Sequence, residues 1–214
     1  MKPNIFFVTV DSLRADRCFG ENRSAKTPNL DSLIKKGIYF SQAISAADQT
    51  GASLSSVFSG IFPIRTGKNQ ITFKSDTKTY FDILKNSNYH TYALVPDIAF
   101  FKESTTNFDD KIIYAFENIK ARQHLGDDLG NKIVAKLKSK EMKEPWIYYI
   151  HLMDIHTPFT VPNEFDKQEN GETKYDRLVS LVDVWLGRFL NEINMKNTII
   201  VISADHGEYI PVTG

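Results

Sequence analysis

Cysteine is almost absent from this sequence, because Cys18 is the only one among 214 residues. A lone cysteine cannot form a disulfide within the chain, which excludes the disulfide-stabilised class of small secreted domains and is compatible with a reducing compartment. No secretory signal is visible in the sequence either, since the first strand is predicted to start at about Asn4 and leaves no space before it for a charged segment followed by an apolar one. We therefore expect a cytoplasmic domain.

Long hydrophobic runs and an excess of one charge are also missing. No stretch approaches the roughly 18 consecutive apolar residues of a membrane-spanning helix. Lysine plus arginine and aspartate plus glutamate number 26 each, so the formal net charge is zero and favours neither a nucleic acid nor a membrane surface as partner. The chain does have 42% hydrophobic residues, enough for a substantial core in one globular domain over residues 1–214.

Short apolar runs rich in isoleucine, valine, phenylalanine and tyrosine predict the strands. Such nearly continuous runs are typical of strands that are covered on both faces, as in a parallel sheet. The predicted strands are Asn4–Val10, His90–Val95, Trp146–Met153 and Thr198–Ser203.

Segments between these runs show the helical spacing of apolar residues, most clearly Tyr175–Ile193. The alternation of strands and helices predicts an α/β fold with a mainly parallel central sheet and helices on both faces. Residues 64–78 and 160–174 are polar and are predicted to be loops. The predicted helices are Pro28–Lys36, Ala52–Phe58, Thr79–Lys85, Asp127–Lys138 and Tyr175–Ile193.

Acids and histidines follow three of the predicted strands. Ligands of open α/β sheets bind at the carboxyl ends of the strands, so side chains placed there can converge. Carboxylate and imidazole are ligands of Zn²⁺ and Mn²⁺, and their repetition at three strand ends predicts a metal site. The residues concerned are Asp11 after the first strand, His151, Asp154 and His156 in or after the third, and Asp205 and His206 after the last.

Ordinary structural interpretations exist for the same residues. Asp11 alone could cap the turn that follows its strand. An Asp-His pair after a strand could make structural hydrogen bonds only. His151 falls within a predicted strand, so we interpret it as a core histidine rather than a ligand. His90 and His124 have no comparable context and receive no role.

The stretch ADQTGASLSSVFSG, residues 47–60, combines small residues with a helical apolar face. Thr50 would lie at or near the N-terminus of that helix, where a hydroxyl is the usual cap. A chemical interpretation is also available, because a helix N-terminus offers free N–H groups and a positive dipole end that attract a tetrahedral anion. A neighbouring metal would help to ionise the Thr50 hydroxyl, which is otherwise a weak nucleophile.

Five stretches of the chain resemble, in order, the sulfatase family of the alkaline phosphatase superfamily. They are PNIFFVTVDSLRAD, TPNLDSLIKKGIYFSQAIS, SGIFPIRTG, IHLMDIHTPF and TIIVISADHGE. The resemblance implies a large α/β sheet with helices on both faces. It also implies a divalent metal ion, Mn²⁺, Zn²⁺, Ca²⁺ or Mg²⁺, that is held by Asp11, Asp205 and His206, with Thr50 as the nucleophile.

The sequence departs from true sulfatases at the nucleophile. Sulfatases use a cysteine or serine in C/S-x-P-x-R that is oxidised to formylglycine, whereas residues 50–54 read TGASL, so no formylglycine is expected. The second acid of sulfatases is replaced by Ser12. Threonine nucleophiles are typical of relatives that move phosphoryl groups, including phosphoglycerol and phosphoethanolamine transferases and phosphodiesterases. The resemblance therefore favours hydrolysis or transfer of a phosphate ester through a phospho-threonine intermediate.

Further roles also follow from the resemblance. His156 is expected to act on the leaving oxygen, and Arg14, Lys68 and Asp154 are candidate substrate contacts, although Arg14 could pair with a surface acid instead. The expected partner is a small-molecule, lipid or glycan phosphate ester, or a sulfate ester. Because the family normally continues well beyond the DHGE segment, we expect a domain that is truncated at its C-terminus.

Two other functions stay open at this point. A sulfuric ester hydrolase with another nucleophile would keep the family's usual substrate. A truncated relative that binds a metal or an anion without turnover would belong to a different class of protein.

Overall fold

A five-stranded sheet forms the centre of the computed structural model, which describes residues 2–21, 23–62, 77–116, 118 and 122–210. Its strands run in the order β3-β2-β4-β1-β5, and every pairing is parallel, as the sequence predicts. The strands are β1 (Asn4–Val10), β2 (His90–Pro96), β3 (Asp110–Tyr114), β4 (Trp146–Leu152) and β5 (Thr198–Ala204).

Helices connect these strands and cover the sheet. The longest, α7, spans Lys174–Asn191 and leads into β5. The others are α1 (Ala15–Cys18), α2 (Pro28–Lys36), α3 (Thr50–Ser59), α4 (Tyr80–Asn86), α5 (Ala99–Ser104) and α6 (Leu129–Ser139), with short 3₁₀ turns at Leu125–Asp127 and Gln168–Asn170.

Alternate side chains of the sheet face two separate helical layers. Phe6, Val8 and Val10 of β1 belong to a large apolar core that also includes residues of α6 and α7. Ala93 and Val95 of β2 belong to a second core, where residues of α3, α4 and α5 pack against the opposite face. Because burying one aliphatic or aromatic side chain contributes about 1.5–3 kcal/mol, the two cores supply most of the stabilisation of the sheet.

The register of β1 with its neighbours determines which residues meet at the carboxyl edge of the sheet. Val10 lies opposite Leu152 of β4 and opposite Ala204 of β5. Asp11 and Asp205 are the next residues along β1 and β5, so they emerge side by side. The sheet thus brings together acids that are almost two hundred residues apart, 194 in the numbering of the chain.

The four predicted strands agree with the structure to within one residue at each end. The sequence did not predict β3, because its DKIIY segment is short and begins with two charged residues. The helices α1 and α5 were also missed, since four and six residues are too few to show a helical period.

Several predicted boundaries need correction. The helix predicted at Ala52–Phe58 begins two residues earlier, at Thr50. The helix predicted from Asp127 begins at Leu129, because Asp127 lies in a 3₁₀ turn and Asp128 adopts a left-handed conformation with φ of 89°. The predicted loop 64–78 falls almost entirely outside the described residues, and the loop 160–174 contains a 3₁₀ turn and the first residue of α7.

β5 lies at one end of the described sheet, and one of its faces is open. Ile199 and Val201 are 50% and 36% exposed, whereas Ile200 and Ile202 pack against the larger core. Within the described ranges no helix combines the length and the apolar character that a membrane span requires.

Candidate active site

Asp11 is fully buried at the end of β1, and hydroxyl groups approach both of its carboxylate oxygens. Ser12 Oγ donates to Oδ1 at 2.7 Å, and Thr50 Oγ1 donates to Oδ2 at 2.9 Å. The side chain thus binds two other side chains, and does not cap the following turn as an isolated aspartate would.

Asp205 lies next to Asp11 and is 1% exposed. Its Oδ1 accepts hydrogen bonds from the backbone N–H of Ser12 at 3.1 Å and of His206 at 2.8 Å. Ser53 Oγ of α3 donates to the carbonyl oxygen of Asp205 at 2.6 Å and so ties this strand end to the helix. Asp205 Oδ2 is buried and has no hydrogen-bond partner among the described residues.

Thr50 is the first residue of α3, and its side chain turns toward the strand ends. The residue in the N-cap position is Gln49, whose side chain makes no capping bond. Besides the bond to Asp11, Thr50 Oγ1 lies 3.2 Å from His206 Nε2. His206 Nδ1 lies 2.7 Å from the carbonyl oxygen of Gly207; if it donates there, the lone pair of Nε2 faces Thr50.

We call Asp11, Thr50, Asp205 and His206 the strand-end cluster. The sequence predicted all four residues, and the structure brings them together: His206 Nε2 is 3.5 Å from Asp205 Oδ2, which completes the set of contacts. Three separate elements, β1, α3 and β5, contribute to it.

His151 borders this cluster, although the sequence was interpreted as placing it in the core. The residue is fully buried in β4, as expected for a core histidine, but its Nε2 lies 3.4 Å from Asp11 Oδ2. Asp11, His151 and Asp205 each offer one ligand atom, and these three atoms lie within 4.8 Å of one another. The signal that could have found it is the pairing of β4 with β1, which sets His151 opposite Thr9.

Burial and neighbouring charges shift the pKa values of the two acids in opposite directions. Burial alone would raise the pKa of Asp11, but His151 and the Ser12 and Thr50 hydroxyl groups together lower it well below the ordinary value. Burial, and next the repulsion from the Asp11 carboxylate, raises the pKa of Asp205. Two carboxylates that are buried side by side repel each other, and a cation between them would remove this cost.

A divalent metal ion fits these residues. Two carboxylates and an imidazole nitrogen are suitable ligands for Mn²⁺ or Zn²⁺. The unpartnered Oδ2 of Asp205 would otherwise be a buried acceptor without a donor, which is costly. Asp11 and Asp205 are therefore residues that would hold the ion, and His206 as the third ligand stays a prediction.

The other predicted site residues make contacts elsewhere. His156 is half-buried, and its Nδ1 lies 2.7 Å from the carbonyl oxygen of Thr157 while its ring packs edge-on against Phe116. Asp154 is fully enclosed and accepts a hydrogen bond from the backbone N–H of Leu125 at 2.8 Å. Their roles toward a leaving group and a substrate stay predictions.

The two basic candidates have different outcomes. Arg14 binds the Asp16 carboxylate through Nε and Nη2, both at 2.9 Å, so it pairs with a surface acid as the sequence allowed. Its Nη1 also donates to the carbonyl oxygen of Glu208 at 3.1 Å. Lys68 lies outside the described residues.

Comparison with known proteins identifies the family of this chain. Residues 3–212 match the sequence model of one protein family, which is described as Sulfatase. The chain belongs to the sulfatase family. Solved structures of the alkaline phosphatase superfamily share the fold, which confirms the resemblance seen in the sequence.

Proteins that this chain resembles in sequence or in fold have different names. An ulvan-active sulfatase of Formosa agariphila is 26% identical over 238 residues, which cover 96% of this chain and 45% of that enzyme. The phosphonate monoester hydrolase of Agrobacterium radiobacter has a TM-score of 0.79 at 14% identity, over 97% of this chain and 63% of the other. The lipoteichoic acid synthase LtaP of Listeria monocytogenes has a TM-score of 0.72 at 19% identity, over 97% and 57%. The chain spans less than two thirds of the length of each.

In this sulfatase-family chain a hydroxyl, that of Thr50, and not a thiol contacts Asp11 and His206. The single cysteine, Cys18, lies in α1, where its Sγ contacts the carbonyl oxygen of Ala15 at 3.5 Å. Burial raises the pKa of the Cys18 thiol to about 11, so it stays protonated at neutral pH. Cys18 is therefore not a candidate nucleophile.

Proposed function

We propose that this chain is the nucleophile-bearing part of a metal-dependent enzyme that hydrolyses or transfers phosphate esters through Thr50. The position of Thr50 Oγ1 carries the proposal: it lies 2.9 Å from Asp11 Oδ2 and 3.2 Å from His206 Nε2, at the N-terminus of α3. A hydroxyl with a carboxylate and an imidazole at hydrogen-bond distance is the arrangement of an activated nucleophile.

The proposed reaction has two displacement steps. In the first, a bond forms between Thr50 Oγ1 and phosphorus while the bond from phosphorus to the leaving oxygen breaks, and His156 or water protonates that oxygen. The hydroxyl proton of Thr50 has Asp11 Oδ2 as its acceptor at 2.9 Å, because the lone pair of His206 Nε2 would be used when His206 binds the ion. In the second step, the oxygen of water or of an alcohol forms a bond to phosphorus while the bond between phosphorus and Thr50 Oγ1 breaks. The proton that the attacking group loses returns to Oγ1 and restores the Thr50 hydroxyl.

Charge stabilisation comes from the helix and from the ion. Thr50 is the first residue of α3, so the free N–H groups of the first turn and the positive end of the helix dipole lie beside its hydroxyl. Both favour a phosphoryl group bound there. A divalent ion held by Asp11, Asp205 and His206 would supply Lewis-acid stabilisation of the developing charge.

Two observations favour a phosphate over a sulfate ester. A threonine cannot be converted to formylglycine, and two relatives of the same fold are by name a phosphonate monoester hydrolase and a lipoteichoic acid synthase. The ulvan-active relative supports sulfate esters as the second candidate. In both cases the ester alcohol is expected to be a lipid, a glycan or a small molecule.

Intact-mass measurement of the chain after incubation with a reactive aryl phosphodiester and Mn²⁺ or Zn²⁺ tests the proposal. We expect a phosphoryl-containing adduct that peptide mapping assigns to Thr50. The isosteric Thr50→Val variant lacks the attacking oxygen and should show no adduct.

Ser55→Ala is the matched control, because the Ser55 hydroxyl lies on the same helix but donates to the Gly51 carbonyl oxygen at 2.6 Å. This variant should form the adduct as the wild type does. An adduct that persists in Thr50→Val would show that Thr50 is not the nucleophile. Turnover of an aryl sulfate but of no aryl phosphate would show that the substrates are sulfate esters and not phosphate esters. Metal binding without any turnover would indicate a binding protein.

A further inference from the structure

Both ring nitrogens of His151 have polar neighbours, although the residue is buried. It lies in β4 with no exposed surface, and its ring packs 4.5 Å from the ring of Phe101. Nδ1 lies 3.3 Å from the Tyr149 hydroxyl, and Nε2 points at Asp11 Oδ2. The sequence analysis gave this nitrogen no function, and the reaction proposed above does not use it.

The distance between Nε2 and Asp11 Oδ2 is more consistent with a shared ion than with a strong hydrogen bond. At 3.4 Å it exceeds the usual N–H···O range of about 2.7–3.2 Å. Two atoms that each bind one ion at about 2.1 Å can be up to about 4.2 Å apart. The ligand atoms of Asp11, His151 and Asp205 lie within 4.8 Å of one another, so these atoms need to move only slightly closer together to bind one ion.

Tyr149 can set the required tautomer of His151. A neutral imidazole binds a metal through the nitrogen that carries no proton, so the proton must lie on the other nitrogen. The Tyr149 hydroxyl oxygen, also fully buried, can accept that proton from Nδ1. Metal-binding histidines usually donate their second N–H in this manner.

We propose that His151 is a ligand of the divalent ion, so that two imidazoles, His151 and His206, bind it together with Asp11 and Asp205. The inference rests on the metal requirement of the proposed function. Two carboxylates and two neutral imidazoles balance the charge of a divalent ion in a buried site. Two nitrogen ligands select Mn²⁺ or Zn²⁺ over Ca²⁺ and Mg²⁺, which prefer oxygen ligands.

Counting the imidazoles on the bound ion tests this assignment without an activity assay. The chain is labelled with ¹⁵N-histidine and loaded with Mn²⁺, and pulsed electron paramagnetic resonance measures the nitrogen couplings. We expect two imidazoles in the wild type, one in His151→Gln and one in His206→Gln. His151→Gln should also weaken Mn²⁺ binding at least tenfold, as a calorimetric titration would show.

His90→Gln is the control, because His90 begins β2 at the amino end of the sheet, and it should retain both imidazoles. A wild-type count of one overturns the assignment even if His151→Gln does not fold, as does a chain that binds no Mn²⁺. Two imidazoles without a Thr50 adduct would remove the proposed function and leave the ligand assignment intact. A Thr50 adduct together with only one bound imidazole would overturn the ligand assignment and leave the proposed function intact.

Discussion

Ser12 joins the two acids of the strand-end cluster through separate hydrogen bonds. Its Oγ donates to Asp11 Oδ1 at 2.7 Å, and its backbone N–H donates to Asp205 Oδ1 at 3.1 Å. The residue has a φ of 61°, a left-handed conformation that costs about 1–3 kcal/mol for a side chain other than glycine. The Tyr175 hydroxyl, which donates to the Ser12 carbonyl oxygen at 2.7 Å, helps to hold that conformation. The two hydrogen bonds of Ser12 therefore link the two carboxylates to one residue.

Asp154 is the residue for which burial has the clearest effect on stability. Burial raises its pKa from 3.8 to about 6, against the attraction of His124 and the Leu125 N–H bond. A raised pKa means that the folded state binds the proton more tightly than the unfolded state, so the residue costs stability as the pH rises from about 4 to above 6. The cost is at most about 3 kcal/mol.

We therefore expect Asp154→Asn to be more stable than the wild type at pH 8, by about 1–3 kcal/mol, and equal to it near pH 4. Asparagine keeps an oxygen that can accept the Leu125 N–H, so the fold is retained. Urea unfolding at several pH values measures the difference. Asp128→Asn is the control, because Asp128 is exposed and its pair with Lys132 at 3.9 Å contributes little. A gain from Asp154→Asn that is independent of pH would contradict the argument.

At the scale of elements, the strands were easier to predict than the partners they pair with. The apolar runs of β1, β4 and β5 identify strands that are buried in a parallel sheet, but such runs do not alternate and so contain no information on register. His151 shows the consequence. Its position in β4 was predicted correctly, yet only the pairing of β4 with β1 reveals that its ring faces Asp11.

The helix α7 connects the core to the site, and its first turn can be tested. Thr173 and Asp176 form a capping box, in which Thr173 Oγ1 accepts the Asp176 N–H at 3.2 Å and Asp176 Oδ2 accepts the Thr173 N–H at 3.2 Å. Tyr175 in the same turn binds Ser12. We expect Thr173→Ala to lower the free energy of unfolding by about 1 kcal/mol in urea titrations.

Thr160→Ala is the comparison for this change, because Thr160 is exposed in a loop and its hydroxyl makes only a marginal 3.5 Å contact with the Pro158 carbonyl oxygen. It should alter the free energy of unfolding by less than about 0.5 kcal/mol. Equal effects of the two substitutions would show that the capping box does not stabilise α7.

At the scale of the whole molecule, the site depends on strand order. The order β3-β2-β4-β1-β5 places β1 between β4 and β5, so the ends of those three strands converge while β2 and β3 lie to one side. The sequence analysis predicted Asp11, Thr50, Asp205 and His206 by combining strand ends with a family resemblance. It allowed that Arg14 pairs with a surface acid, but it did not identify Asp16 as that acid.

A bound ion should link these strand ends and stabilise the whole molecule. At a concentration one hundred times its dissociation constant, a ligand of the folded state adds about 2.7 kcal/mol of stability. In a chain of this size that corresponds to a rise in Tm of about 5–10 °C. We expect Mn²⁺ or Zn²⁺ to produce this rise in differential scanning fluorimetry and EDTA to abolish it, with Ca²⁺ much less effective.

Asp205→Asn should be at least as stable as the wild type without metal, and less stable than the wild type with metal. Without metal, the variant loses the repulsion between Asp205 and Asp11 but keeps an oxygen for the Ser12 and His206 N–H groups, so its Tm should equal or exceed that of the wild type. With Mn²⁺ it should gain little and fall below the wild type. Asp110→Asn, which removes an exposed acid of β3 that pairs with Lys136 of α6, should respond to Mn²⁺ as the wild type does. An equal gain in Asp205→Asn and in the wild type would place the ion away from the strand-end cluster.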